Sequence, residues 1–214
     1  MQATHRDHER FASIADPHRR IWAAMVASMD DAIGVVLDAL RRNGLERDTL
    51  VFFLSDNGGP TKELTSRNDP FSGGKGSLLE GGIRVPFLLC WPGRLPSGRV
   101  EPRPVSALDI LPTALAAGGV SIPPGLDGVD LMPFLTGRPE SPHSQLYWRM
   151  GPQKAVRQGS WKLIRLRADD PFRLYDLEKD ASESTDLAGA EPARVRELAD
   201  LLGAWDRTLV RPLW

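Results

Sequence analysis

Asp56 and Asn57 sit side by side in Ser55-Asp56-Asn57-Gly58-Gly59-Pro60, directly after the apolar run Thr49-Leu50-Val51-Phe52-Phe53-Leu54. Together they offer anionic carboxylate oxygens and a neutral carbonyl oxygen, the donor set that a hard divalent cation such as calcium or magnesium prefers. The same residues are also ordinary turn chemistry, and taken alone they favour an Asx-rich turn closing a strand. A second group follows from Phe71 to Pro86, where Lys75 is the one lysine among five glycines. Glycine lets the backbone approach a ligand closely and adopt positive φ. A single ammonium group held there can neutralise a tetrahedral oxyanion as a point charge. The stretch is not a phosphate-binding P-loop, because the Gly-x-x-x-x-Gly-Lys-Ser/Thr spacing is absent.

These residues need elements to hold them. The Thr49–Leu54 run suits a strand covered on both faces, which would set Asp56 and Asn57 at the carboxyl edge of an α/β sheet, where such folds bind ligands. Val85 to Trp91 reads as a second apolar strand. Upstream, Asp16 is a good N-cap and Pro17 suits the first helical position. From Ile21, apolar residues recur at Trp22, Met25, Met29, Ile33, Val36, Leu37 and Leu40, a helical stripe that Gly44 closes. Asp30 and Asp31 lie within that helix, where adjacent side chains point about 100° apart, so a solvated or packing role is expected rather than a metal pair. Met1 to Ala15 has no clear periodicity, and His5 and His8 read as solvated.

Ser106 to Ala117 predicts a short helix, with Pro112 tolerable in its first turn. Residues 122–142 are proline- and glycine-rich irregular chain. The pattern then changes to short strands at Gln145–Met150, Ala155–Arg157, Trp161–Arg167 and Phe172–Leu177, with a hairpin at Gln158-Gly159-Ser160. A last helix from about Pro192 carries Val195, Leu198, Leu201, Leu202 and Trp205 on one stripe, suited to covering a small antiparallel sheet. The expected division is a unit over 1–142 and a smaller one over 143–214.

The chain resembles the sulfatase family, the formylglycine-dependent sulfuric ester hydrolases of the alkaline phosphatase superfamily, of the arylsulfatase or N-acetylgalactosamine-6-sulfatase kind. The resemblance is carried by Ser55-Asp56-Asn57-Gly58, Gly74-Lys75-Gly76, Glu80-Gly81-Gly82-Ile83-Arg84-Val85-Pro86 and Trp91-Pro92-Gly93. Asp109-Ile110-Leu111-Pro112-Thr113, Leu126-Asp127-Gly128-Val129, Gly159-Ser160-Trp161-Lys162-Leu163 and Leu174-Tyr175-Asp176-Leu177 extend it. It implies an α/β fold: part of an alkaline-phosphatase-like mixed sheet flanked by helices, plus a small C-terminal antiparallel sheet with a covering helix. It implies that Asp56 and Asn57 are two ligands of a calcium ion, and that Lys75 contacts the sulfate and steadies the leaving oxygen. The implied substrate is a sulfate ester, either an aryl sulfate or a sulfated carbohydrate. Family members often work in the periplasm or outside the cell.

By the same resemblance the chain corresponds to the carboxyl-terminal portion of a sulfatase. The family's Asp-Asp pair, nucleophile and further basic residues are expected upstream, and this chain alone is expected to be inactive. Cys90-Trp91-Pro92-Gly93-Arg94 matches Cys-x-Pro-x-Arg, the core of the motif whose cysteine becomes formylglycine, but it follows the Asp-Asn-Gly motif instead of preceding it. Cys90 is therefore expected to be a buried core thiol ending a strand. Two alternatives stay open: a related phosphodiesterase or phosphonate monoester hydrolase, and a non-catalytic remnant that binds calcium or a sulfated glycan. The loop between Pro60 and Phe71, with Lys62, Glu63, Arg67 and Asp69, is where substrate choice would be encoded. A formal net charge of −1 gives no reason to expect nucleic acid or an acidic membrane surface as a partner. No apolar run is long enough to span a bilayer. One cysteine excludes an internal disulfide framework.

Overall fold

The computed structural model describes residues 2–61 and 65–210. They form two compact units.

The first unit, residues 1–54, 59–67 and 86–100, holds α1 (His5–Glu9), α2 (Pro17–Arg42), β1 (Val51–Leu54) and β2 (Phe87–Cys90). The Asp16 side chain accepts from Arg19 N at 3.0 Å and Pro17 opens α2. The helix runs to Asn43, and Gly44 follows at φ +69°. Asp31 pairs on the surface with Arg10 at 2.6 Å, and Asp30 is exposed, in keeping with their mid-helix positions. The stripe is real as helix, but Met25, Met29, Val36 and Leu37 on it are exposed. α1 lies in the segment without periodicity. Its sequence signal is a cap: Thr4 Oγ1 accepts from Asp7 N at 3.1 Å and donates to Asp7 Oδ2 at 2.6 Å.

β1 and β2 pair antiparallel, with Val51 opposite Cys90 and Leu54 opposite Phe87. Here two sequence expectations fail. β1 is half-buried and not covered on both faces, with Phe53 39% exposed. β2 alternates: Phe87 and Leu89 are half-buried, while Leu88 and Cys90 are exposed. The period of two along a strand puts Cys90 on the same open face as Leu88, so it is not a core thiol. The apolar run could not reveal which face the ladder leaves open.

The second unit, residues 55–58, 68–85 and 101–214, contains α3 (Glu80–Ile83), α4 (Ile110–Ala117), α5 (Met132–Leu135), strands β3 (Leu146–Met150), β4 (Gln153–Gln158), β5 (Trp161–Arg165) and β6 (Arg173–Asp176), and α6 (Pro192–Thr208). The four strands form an antiparallel sheet in chain order. The β4–β5 turn is Gly159-Ser160, with Gly159 at φ +59°. On one face Val156, Leu163 and Leu174 meet Leu198 and Leu202 of α6, and Val195, Leu201 and Trp205 complete the stripe. On the other face Ala155, Ile164 and Tyr175 meet Leu78 and Leu177. Alternation along β5 therefore places Lys162, between Trp161 and Leu163, on the face that receives residues 78–80.

Ahead of α4, Asp109 is fully buried and makes a capping box with Ser106. Its oxygens also accept from Val129 N at 2.9 Å and meet His143 Nε2 at 2.9 Å. Pro112 is the third residue of α4, where no N–H is required.

Candidate active site

Asp56, Asn57 and Lys75 all belong to the second unit, and backbone interlocking is what brings their segments together. Gly58 N donates to Gly82 O at 2.9 Å, and Gly81 N donates to Ser72 O at 2.7 Å. A Cβ at Gly58 would run into the carbonyl of Gly81. One at Gly81 would lie 2.5 Å from Ser72 O and 2.6 Å from Gly73 O. One at Gly82 would meet the carbonyls of Ser77 and Gly74. Three pieces of main chain, the 55–58 turn, the 72–77 loop and α3, are thus pressed together at positions where any side chain is excluded. The glycines that suggested close approach to a ligand serve, at 58, 81 and 82, close approach to the protein's own backbone.

The metal-ligand candidates are held by local bonds. Asp56 Oδ1 accepts from Asn57 N at 3.0 Å, and Ser55 Oγ donates to Asn57 O at 2.8 Å. Asn57 Nδ2 donates to Gly58 O at 3.0 Å. That bond consumes the nitrogen end of the amide and leaves Oδ1 as the end that can face a cation. Asp56 is exposed and Asn57 half-buried. The donor set fits a hard divalent cation: an anionic oxygen and a neutral oxygen on consecutive residues of a fixed turn. Among the described residues no group of three or more His, Cys, Asp or Glu is placed to hold a metal. Lys75 is exposed at the tip of its loop, between Gly73 at φ +80° and Gly76 at φ +84°. Arg67 is exposed, whereas Lys62 and Glu63 lie outside the described residues.

Beneath this surface lies a set of charges to which sequence reasoning gave no role. Lys162 is fully buried between two carboxylates, with Nζ 2.9 Å from Glu80 Oε1 and 2.8 Å from Glu183 Oε1. Glu183 Oε2 accepts from Glu80 N at 2.6 Å, so the glutamate joins the start of α3 to the lysine. Arg84 and Arg157 stand farther off, 3.8 and 3.9 Å from Glu80 Oε2. Burial pushes the Glu183 carboxyl above the ordinary range, against the pull of Lys162. Burial likewise lowers the Arg157 guanidinium. The sequence signal is a lysine inside the β5 run Trp161-Lys162-Leu163-Ile164, because a charge on an inward position of a buried strand requires a partner. Ser72 Oγ adds a tie from the glycine-rich loop to Ser182 O at 2.6 Å.

Comparison with known proteins bears on the family and the fold. The sulfatase family model matches residues 3–120, and that of N-sulphoglucosamine sulphohydrolase, C-terminal, matches residues 74–202. Steryl-sulfatase of Mus musculus is 35% identical over 92% of this chain and 39% of its own length. Arylsulfatase A of Homo sapiens is 35% identical over 81% of this chain and 41% of its own. The chain thus spans about two fifths of these relatives. The crystal structure of Ps i-CgsB superimposes with a TM-score of 0.91 at 32% identity, covering all of this chain and 48% of that one. The same protein is known in complex with k-i-k-neocarrahexaose. The fold is the alkaline-phosphatase-like α/β fold of these structures. The chain belongs to the sulfatase family.

Proposed function

We infer that this chain serves a sulfuric ester hydrolase, in which Asp56 and Asn57 give oxygen ligands to a calcium ion and Lys75 contacts the sulfate and steadies the leaving oxygen. The observation that carries this reading is the interlock of Gly58, Gly81 and Gly82 with the Lys75 loop, which ties the carboxylate–amide pair and the ammonium into one rigid backbone element. A bound divalent cation disperses negative charge on sulfate oxygens. The bond from Asn57 Nδ2 to Gly58 O leaves the carbonyl oxygen as the ligand end of that amide, and Asp56 adds the anionic oxygen. Two ligands make up only part of the about six to eight oxygens that calcium takes. Lys75, a point charge on a flexible stem, suits an oxyanion whose charge grows as the ester bond breaks. A carbohydrate ester is the favoured substrate class, since the matching Ps i-CgsB structure carries a neocarrahexaose.

The test uses the protein as its source cell makes it, with k-i-k-neocarrahexaose and 4-nitrophenyl sulfate as substrates, and reads the one that the parent turns over. Lys75→Ala is expected to lower kcat by about 10²–10³. Asp56→Ala is expected to raise the calcium concentration needed for half-maximal rate. Turnover equal to the parent in both variants would overturn the reading.

A further inference from the structure

Asn68 Nδ2 holds the Lys75 loop at Gly73 O, 3.0 Å away, and a side chain of the sheet holds it on the other side of the lysine. Gln153 begins β4, just after the Gly151-Pro152 turn that joins it to β3. Its Nε2 donates to Gly76 O at 2.9 Å, and its Oε1 accepts from Leu78 N at 3.1 Å. Both ends of the amide are used, and turning it over would set oxygen against oxygen and N–H against N–H. Gly76 is the residue next to Lys75. A Cβ there would meet nothing within 4 Å, so packing does not fix this point of the loop. Within the loop, Ser77 N donates to Gly74 O at 3.0 Å and closes the turn that carries Lys75, whose first half, Gly73 and Gly74, is held by Asn68 and by the close approach of Gly82. The bridge from Gln153 fixes the second half, at Gly76 and Leu78, to a strand anchored in the sheet.

We propose that Gln153 is a positioning residue that sets the direction of Lys75, so that the β3–β4 hairpin acts as a clamp on the sulfate-contacting loop. This rests on the reading of Lys75 given above. Gln153 touches main chain and not the substrate, so its effect passes through Lys75. That makes its signature a coupling and not a simple loss.

The experiment is a double-mutant cycle in the protein as its source cell makes it, on whichever of the two substrates above the parent turns over. Gln153→Ala should lower kcat about tenfold with calcium dependence unchanged. The same change should cost nothing further once Lys75→Ala is present. Gln153→Glu, which keeps the acceptor for Leu78 N but sets a carboxylate against Gly76 O, should be at least as damaging. Hydrogen exchange at the Leu78 amide should quicken about tenfold in Gln153→Ala. Equal losses in both backgrounds, or unchanged exchange at Leu78, would overturn the clamp. Parent-like turnover in Lys75→Ala would instead sink the catalytic role of Lys75, a result that no Gln153 variant alone produces.

Discussion

Replacing Lys162 with methionine keeps an unbranched side chain only one atom shorter and removes the charge that two buried carboxylates share. In the parent, Nζ stands 2.9 Å from Glu80 and 2.8 Å from Glu183, with all three side chains nearly or fully buried. In the variant Glu80 keeps only Arg84 and Arg157, at 3.8 and 3.9 Å, and Glu183 keeps the Glu80 N–H. Removing one partner of a buried pair costs about 3–5 kcal/mol. Protonation limits the damage. Neutralising one carboxyl at pH 7 from an ordinary value of 4.5 costs about 3.4 kcal/mol, at about 1.36 kcal/mol per pH unit, and only about 0.7 kcal/mol at pH 5. The loss should therefore be about 3–5 kcal/mol at pH 7 and shrink by about 2–3 kcal/mol at pH 5. Urea unfolding followed by tryptophan fluorescence at the two pH values measures it. Adding Glu80→Gln and Glu183→Gln to Lys162→Met should recover much of the loss, because the buried charges then vanish together. A loss below about 1 kcal/mol at pH 7, or one that does not change with pH, would refute the reasoning.

Other outcomes follow from the same contacts. Gly58→Ala drives a methyl group into the Gly81 carbonyl and should cost about 1–3 kcal/mol or more by thermal unfolding, while Gly98→Ala, in open space at φ +69°, should cost about 1 kcal/mol. The Glu183 carboxyl sits above its unfolded value, so its contribution is complete below pH 4.5 and is lost as pH rises through the folded value. Glu183→Gln should flatten that fall in a stability–pH profile. Asp206 runs the other way: burial pushes its carboxyl up, but Lys154 and Arg149 together hold it below the ordinary range. Its contribution is present above pH 3.8 and lost as pH falls through the lowered value, so Asp206→Asn should remove part of the acid limb of the same profile.

Much of the scaffold was legible because its signals are local. Asp16 with Pro17, Gly44, the Gly159-Ser160 turn and the α6 stripe each state their structure within a few residues, and each appears as read. Asp56, Asn57 and Lys75 were singled out by type, spacing and family motif, and the roles proposed for them rest on those. What escaped depends on partners distant in sequence. Cys90 looked like core because its neighbours are apolar, yet which face of a two-stranded ladder is open is a tertiary fact. Lys162 and Glu80 stood inside recognised motifs, but only the pairing of β5 and the fold of the 180s show that they share one buried site with Glu183. Gln153 carries no motif at all; its importance comes from where a hairpin sets an amide.

The distances along the chain between these partners also have a consequence in time. Glu80 waits for Lys162, which is 82 residues later, and for Glu183, which is 103 residues later. At a synthesis rate of about 5–20 residues per second, Glu80 is made roughly 4–16 s before the lysine that closes over it. Until then the Gly81–Gly82 surface has its loop but not its sheet. The antiparallel meander, whose neighbours are consecutive in sequence, can assemble quickly once it has emerged. Burial of the Glu80–Lys162–Glu183 charges is then expected to be a late event, one that makes completion of the sheet the step at which the upstream loops acquire their final form.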